Sequence, residues 1–172
     1  MALRSTLYTS GCTHCSQMNQ KSIDIKSMVM DDINTVLFIE NSIFPAPWSR
    51  DVFIRELQLP ISRNLVAKIC KNQIFDITGY MTYWVIAGEI QIHKIAVRED
   101  VRRSGIASAL METMISCSCD EGANSCTLEV GRSNGSAKKL YEKFNFTVIE
   151  VRQRYYPESG DDALVMCLDL KS

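Results

Sequence analysis

Between Asn64 and Val97 the chain carries three strand-like runs with almost nothing between them: Asn64 to Cys70, Ile74 to Ile86 and Glu89 to Val97. The link Ala87-Gly88 is a two-residue turn, and strands joined so closely run antiparallel. Beyond Val97 the rhythm changes. A helical run from Arg103 to Cys119 leads through a loop at Gly122 to a strand, Ser125 to Val130, a helix, Asn134 to Phe144, and closing strands near Phe146 to Tyr156 and Asp162 to Asp169. A strand, helix, strand crossover added to antiparallel hairpins predicts one mixed sheet with helices on both faces, not an all-parallel Rossmann sheet.

The first part of the chain fits that plan. Ser22 to Ser27 alternates through Ile23 and Ile25 as a first strand. Asp31 or Asp32 can cap a helix whose apolar stripe runs Ile33, Val36, Leu37, Ile39 or Glu40, and Ile43, until Pro45 and Pro47 stop it. Ser49 caps a second helix, carrying Val52, Phe53, Glu56 and Leu57, which ends at Pro60. The expected order is βααβββαβαββ, a mixed α/β fold.

The 172 residues suit one domain, expected over residues 22–172, and 46% hydrophobic content suits a soluble core. A formal net charge of -1 gives no general attraction to nucleic acid. No apolar stretch approaches the roughly 20 residues that span a bilayer, so neither nucleic acid nor membrane is an expected partner. Seven cysteines, an odd and scattered set, argue for a reducing, cytoplasmic setting over a disulfide scaffold. Cys12-Thr-His-Cys15 has the gap of a zinc hairpin, but Cys117 and Cys119 sit at i, i+2 on a helix, where side chains diverge, so no metal is expected. Residues 1–21 are rich in Ser and Thr and lack Asp and Glu; they read as a disordered tail, with a targeting segment or a true start at Met18 as alternatives.

The chemistry concentrates after the third run. Arg102-Arg103-Ser104-Gly105-Ile106-Ala107-Ser108 comes after the strand Ile95-Ala96-Val97 and opens a helix. Main-chain N–H groups at a helix start lack intrahelical partners and suit phosphate oxygens, while Gly105 lets backbone approach a ligand and Arg102 and Arg103 add charge. A solvated helix start would look the same. Neither Gly-x-x-x-x-Gly-Lys-Ser/Thr nor Gly-x-Gly-x-x-Gly occurs, which weighs against nucleotide hydrolysis and dinucleotide binding.

Glu129 lies in Thr127-Leu128-Glu129-Val130, where apolar neighbours are expected to bury it partly and suit it to general-base work; pairing with Arg132 or Lys94 is the plainer alternative. Tyr141 shares a helix face with Asn134, Ala137 and Lys138; alternatively Ser133 or Asn134 is a cap and Tyr141 a half-buried aromatic. His14 and His93 are the two histidines, and His93 reads as a packed strand residue, so a covalent triad is not expected.

Taken together, Ile95-Ala96-Val97, Arg102 to Ala107, Leu128-Glu129-Val130, Ser133-Asn134-x-x-Ala137-x-x-Leu140-Tyr141 and Phe146 resemble the GNAT family of acyl-CoA-dependent N-acyltransferases over about residues 22–170. Phe44-Pro45-x-Pro47-Trp48-Ser49 and Arg154-Tyr155-Tyr156-Pro157 resemble its RimI type, which acetylates the N-terminal alanine of a small-subunit ribosomal protein. The resemblance implies acetyl-CoA as co-substrate, held by Ile95 to Val97, Arg102 to Ser108 and Asn134, with Glu129 as proton acceptor and Tyr141 as proton donor. It also implies a protein N-terminus as partner; Trp48 and Tyr155 are the residues expected to line its entrance. A small amine or a lysine as acceptor, or a non-catalytic acyl-CoA-binding module, are the alternatives. Ser104 stands where that loop is often basic, and Asn145 where Gly usually precedes Phe; Asn tolerates the left-handed turn expected there.

Overall fold

A computed structural model describes residues 22–71 and 74–171. The chain forms β1 (Ile23–Ser27), α1 (Ile33–Ile43), α2 (Arg50–Gln58), β2 (Ser62–Lys71), β3 (Ile74–Ile86), β4 (Glu89–Val97), α3 (Ile106–Asp120), β5 (Ser125–Gly131), α4 (Gly135–Lys143), β6 (Thr147–Tyr156) and β7 (Asp161–Asp169). Short 3-10 turns occupy Met30–Asp32 and Glu99–Val101. This is the expected order. The expected tail, with Cys12, His14 and Cys15, lies outside the described residues.

All seven strands join one sheet in the order β1-β2-β3-β4-β5-β7-β6. Ala87 and Gly88 both take positive φ, 50° and 82°, the twist a two-residue hairpin needs. The parallel contact between β4 and β5 spans just four residue pairs, from Glu89 opposite Ser125 to Ile92 opposite Leu128. β7 then pairs with β5, leaving β6 at the edge. Asn145 adopts φ 64°, as expected for the turn into β6.

One face of the sheet is covered by α3 and α4: Ile106, Leu110, Met111, Met114 and Tyr141 pack on Met81, Tyr83, Ile90, Ile92 and Leu128. On the other face Ile33, Val36, Ile39 and Phe53 of α1 and α2 pack on Val66, Ile77, Tyr80 and Ala96. Each such fully buried side chain stabilises the fold by about 1.5–3 kcal/mol relative to exposure.

β4 serves both layers because its alternation breaks. Thr82 pairs with Lys94 but Tyr83 pairs with Ile92, so His93 is an extra, bulged residue. Before it, Ile90 and Ile92 face α3; after it, Ile95 and Val97 face α3 while Lys94 and Ala96 face α1. His93 and Lys94 therefore emerge on the same side.

Two carboxylates on the α1 side are held by hydrogen bonds. Glu40, 0% exposed, accepts hydrogen bonds from the Trp48 main-chain N–H at 2.7 Å, from Lys94 Nζ at 3.0 Å and from the Tyr80 hydroxyl. Glu56 accepts from Ser62 Oγ and Trp84 Nε1, each at 2.7 Å. Satisfied in this way, buried carboxylates fix the elements that donate to them. The expected caps act differently. Asp32 turns back to accept from the Val29 N–H at 3.0 Å and from Lys68 at 3.1 Å, and Ser49 precedes α2 without a side-chain bond to it.

Candidate active site

Beyond Ile92 and Leu128 the two central strands part. β4 continues along β3, with Ile95, Ala96 and Val97 opposite Met81, Tyr80 and Gly79, and β5 continues along β7, with Glu129 opposite Val165. Each strand keeps its outer ladder, and among the described residues no strand lies between the edges facing each other. Main-chain groups at such an edge can pair with an added extended chain of amides. The bulge at His93 lies where the parting begins, which fits the local bending an extra residue imposes.

At one end of the gap the chain turns into α3. The helix begins at Ile106, not at Arg103 as expected: Arg103 and Gly105 hold φ of 64° and 87°, left-handed values that a right-handed helix excludes. Gly105 is the cap residue, and a Cβ there would come no nearer than 3.9 Å to the protein, at Ile23 Cδ1. Positive φ, not crowding by the protein, is what requires glycine. The N–H groups of the first turn, from Ile106 through Ser108, have no intrahelical acceptors. Arg102 and Arg103 are both exposed here; Arg102 donates to the Glu99 carboxylate at 3.1 Å and to the Val97 carbonyl at 3.3 Å. Ser104 Oγ donates to the Val101 carbonyl. Ser108 Oγ accepts from Lys143 Nζ of α4 at 3.1 Å, a cation beside the helix start that sequence spacing did not reveal.

On the α1 side a cavity of about 600 Å3 opens over β4 and β5, lined among others by Gln91, His93, Thr127, Glu129, Arg152 and Tyr155. Glu129 is partly covered, but not by its apolar neighbours in the strand: Leu128 and Val130 face the α3 core, so alternation turns Glu129 outward to the cavity, where its side chain is 34% exposed. Neither expected partner reaches it: Lys94 goes to Glu40 and Arg132 to Asp162. Glu129 pairs with Arg152, whose guanidinium also donates to Glu150 at 3.3 Å and lies 5.7 Å from the Tyr155 ring centroid. A hydrogen bond to the Glu129 carboxylate raises the Tyr155 pKa above its ordinary value.

His93 is a cavity residue, contrary to the packed strand position expected. Its ring lies 4.3 Å from Trp84 and 6.5 Å from Trp48. Loss of solvent on that walled side lowers its pKa below 6.5, against the opposing pull of Glu56 and Glu129. Trp48 packs on Phe53 at 5.6 Å and stands behind His93 without lining the cavity itself, whereas Tyr155 lines it directly.

Tyr141 approaches from the opposite face, in the α3 core, 5% exposed and 5.8 Å from the Phe146 ring. Burial raises its phenol pKa well above the ordinary value, so it is a neutral donor at physiological pH. Asn134, not Ser133, caps α4, its Oδ1 accepting from the Ala137 N–H at 3.2 Å. Ser133 bonds Asp161 through its N–H and hydroxyl at 3.0 and 2.7 Å, tying this turn to the β6–β7 connection.

Among the described residues no group of three or more His, Cys, Asp or Glu side chains is gathered to hold a metal ion, and no helix is long and apolar enough to cross a membrane. The five described cysteines are free.

Residues 33–146 match the acetyltransferase (GNAT) family. The chain is 31% identical over 153 residues to the [ribosomal protein bS18]-alanine N-acetyltransferase of Escherichia coli strain K12, covering 85% of this chain and 97% of that one. It is 32% identical over 143 residues to a Bacillus subtilis protein provisionally given the same name, covering 83% and 92%. The crystal structure of the Escherichia coli ribosomal-protein-S18-alanine N-acetyltransferase superposes with a TM-score of 0.77 at 28% identity, over 87% of this chain and 94% of that one. Arabidopsis thaliana NAA60 in complex with acetyl-CoA has a TM-score of 0.79 at 16% identity over 88% and 100%, a likeness of fold.

Proposed function

This chain belongs to the acetyltransferase (GNAT) family, and we propose that it moves the acetyl group of acetyl-CoA to the α-amino group of a protein N-terminus. The acceptor proposed is the N-terminal alanine of ribosomal protein bS18, the substrate in its relatives' names. The observation that carries this reading is the gap between β4 and β5, with a helix start at one end and an open carboxylate beside it.

In this reading the first-turn N–H groups of α3, with Ser104, Gly105 and Arg103, hold the pyrophosphate, and Asn134 flanks it. Arg102 supports the loop through Glu99 and Val97. The edge of Ile95, Ala96 and Val97 pairs with the amide-bearing arm, bringing the thioester into the gap. The acceptor enters from the cavity past Trp48 and Tyr155. Its amine attacks the thioester carbonyl; the C–N bond forms, Glu129 takes the amine proton, and the C–S bond breaks as Tyr141 gives its proton to the departing thiolate. A main-chain N–H near Ala96 or Val97 supports the negative charge that passes through the carbonyl oxygen.

Magnitudes favour an α-amine. With a reference pKa of about 7.8, roughly a tenth is neutral at pH 7, against about 0.04% of a lysine near 10.4. A carboxylate as open as Glu129 suffices for the former. The test is intact-mass analysis of a short Ala-initiated peptide, its N-acetylated copy with an internal lysine, and a panel of small amines, each incubated with labelled acetyl-CoA. Label on the terminal nitrogen alone is expected; label on lysine or small amines with none on the peptide N-terminus refutes the acceptor assignment.

A further inference from the structure

Lys94 stands at the joint between the two halves of the gap. Its main chain immediately precedes Ile95, and the bulge turns its side chain to the α1 face, where it meets Glu40 at 3.0 Å with only 12% of the lysine side chain exposed. The same carboxylate accepts the Trp48 N–H at 2.7 Å, and the ammonium lies 3.7 Å from the Phe44 ring centroid and 5.4 Å from that of Trp48. One ammonium and one carboxylate thus hold both ends of the link from Phe44 to Trp48, in which Pro45 and Pro47 have no N–H to donate. An apolar pair of similar volume would pack a core as well or better than a buried ion pair. It would not fix a main-chain N–H and two rings at set distances from β4.

We propose that Lys94 is a positioning residue for the acceptor: through Glu40 it fixes Phe44 and Trp48 against β4, holding the acceptor entrance in register with the strand that receives the donor. The proposal rests on the reading of Trp48 as an entrance residue. Removing Lys94 alone strands a buried carboxylate, so Lys94→Met is compared with the double variant Lys94→Met, Glu40→Met, in which no charge is orphaned. With an Ala-initiated peptide, both are expected to raise peptide KM about tenfold while kcat and the acetyl-CoA KM stay within about twofold. Trp48 and Trp84 are the two tryptophans, so in a Trp84→Phe background acrylamide quenching reads Trp48 alone and is expected to increase about twofold in each variant. That readout needs no acceptor. Absence of peptide acetylation by the native protein would refute the acceptor reading, and quenching would still decide the clamp. An unchanged peptide KM in the double variant, peptide and acetyl-CoA KM rising together, or unchanged quenching overturns the proposal.

Discussion

On the α3 side of the gap, what the protein offers a ligand is mostly backbone: the N–H groups from Gly105 to Ser108 and the open edge of Ile95 to Val97. On the α1 side the groups are side chains: His93, Glu129, Arg152 and Tyr155, drawn from three strands. Backbone groups are positioned by a turn and a helix start, so they depend on a few neighbouring residues. Side-chain groups depend on register, bulges and strand order, so residues distant in sequence decide where they point. One side is suited to a group common to many donors, the other to a particular acceptor.

The sharpest test of this contrast is to remove the chemistry without the scaffold. Glu129→Gln and Tyr141→Phe are each expected to lower turnover by roughly 10² or more while acetyl-CoA binding, followed by calorimetry, persists; unchanged turnover in both would sink these roles. On the backbone side, Gly105→Val forces a β-branched residue to φ 87°. It is expected to raise the acetyl-CoA KM about tenfold and to cost about 1–2 kcal/mol of stability, with peptide KM little changed. An equal rise in both KM values would erase the distinction between the two sides.

Smaller effects refine the acceptor side. Arg152→Gln removes an exposed partner of Glu129, so denaturant titration is expected to show little change in stability, with a few-fold change in kcat/KM for the peptide. The smallest concerns His93. Its pKa is lower folded than unfolded, so the unfolded chain binds the proton more readily. Stability is complete above about 6.5 and declines as pH falls toward the folded value. Thermal melts at pH 7.5 and 5.5 should show less acid destabilisation in His93→Phe than in the native protein.

Much of the fold was legible because it is written in local periods. The element order and the turns at Ala87-Gly88 and Asn145 follow from apolar spacing and from Gly88 and Asn145, residues that tolerate positive φ. The loop before α3 was legible for the same reason, although Arg103, at φ 64°, had to be moved out of the helix. Glu129 was found as a candidate, yet its surroundings were not. Its partner Arg152 sits on β6, two strands away across β7, and nothing in the spacing of 129 and 152 announces that meeting. The place of His93 is not legible in sequence because the bulge that turns it to the cavity is set by the register of β4 on β3, and Glu40 reads as a member of an apolar stripe because its three donors come from elsewhere in the chain.

The extra residue at His93 gives β4 an unusual division of labour. An insertion of one residue within the second half of β4 would act unlike any substitution, since it would exchange the inward and outward members of that half, sending Ala96 toward α3 and Ile95 toward α1, whereas loss of His93 alone would restore plain alternation and leave both on their present sides. The bulge thus acts as a spare position in β4, one whose removal straightens the strand while an added residue beyond it inverts the strand's faces.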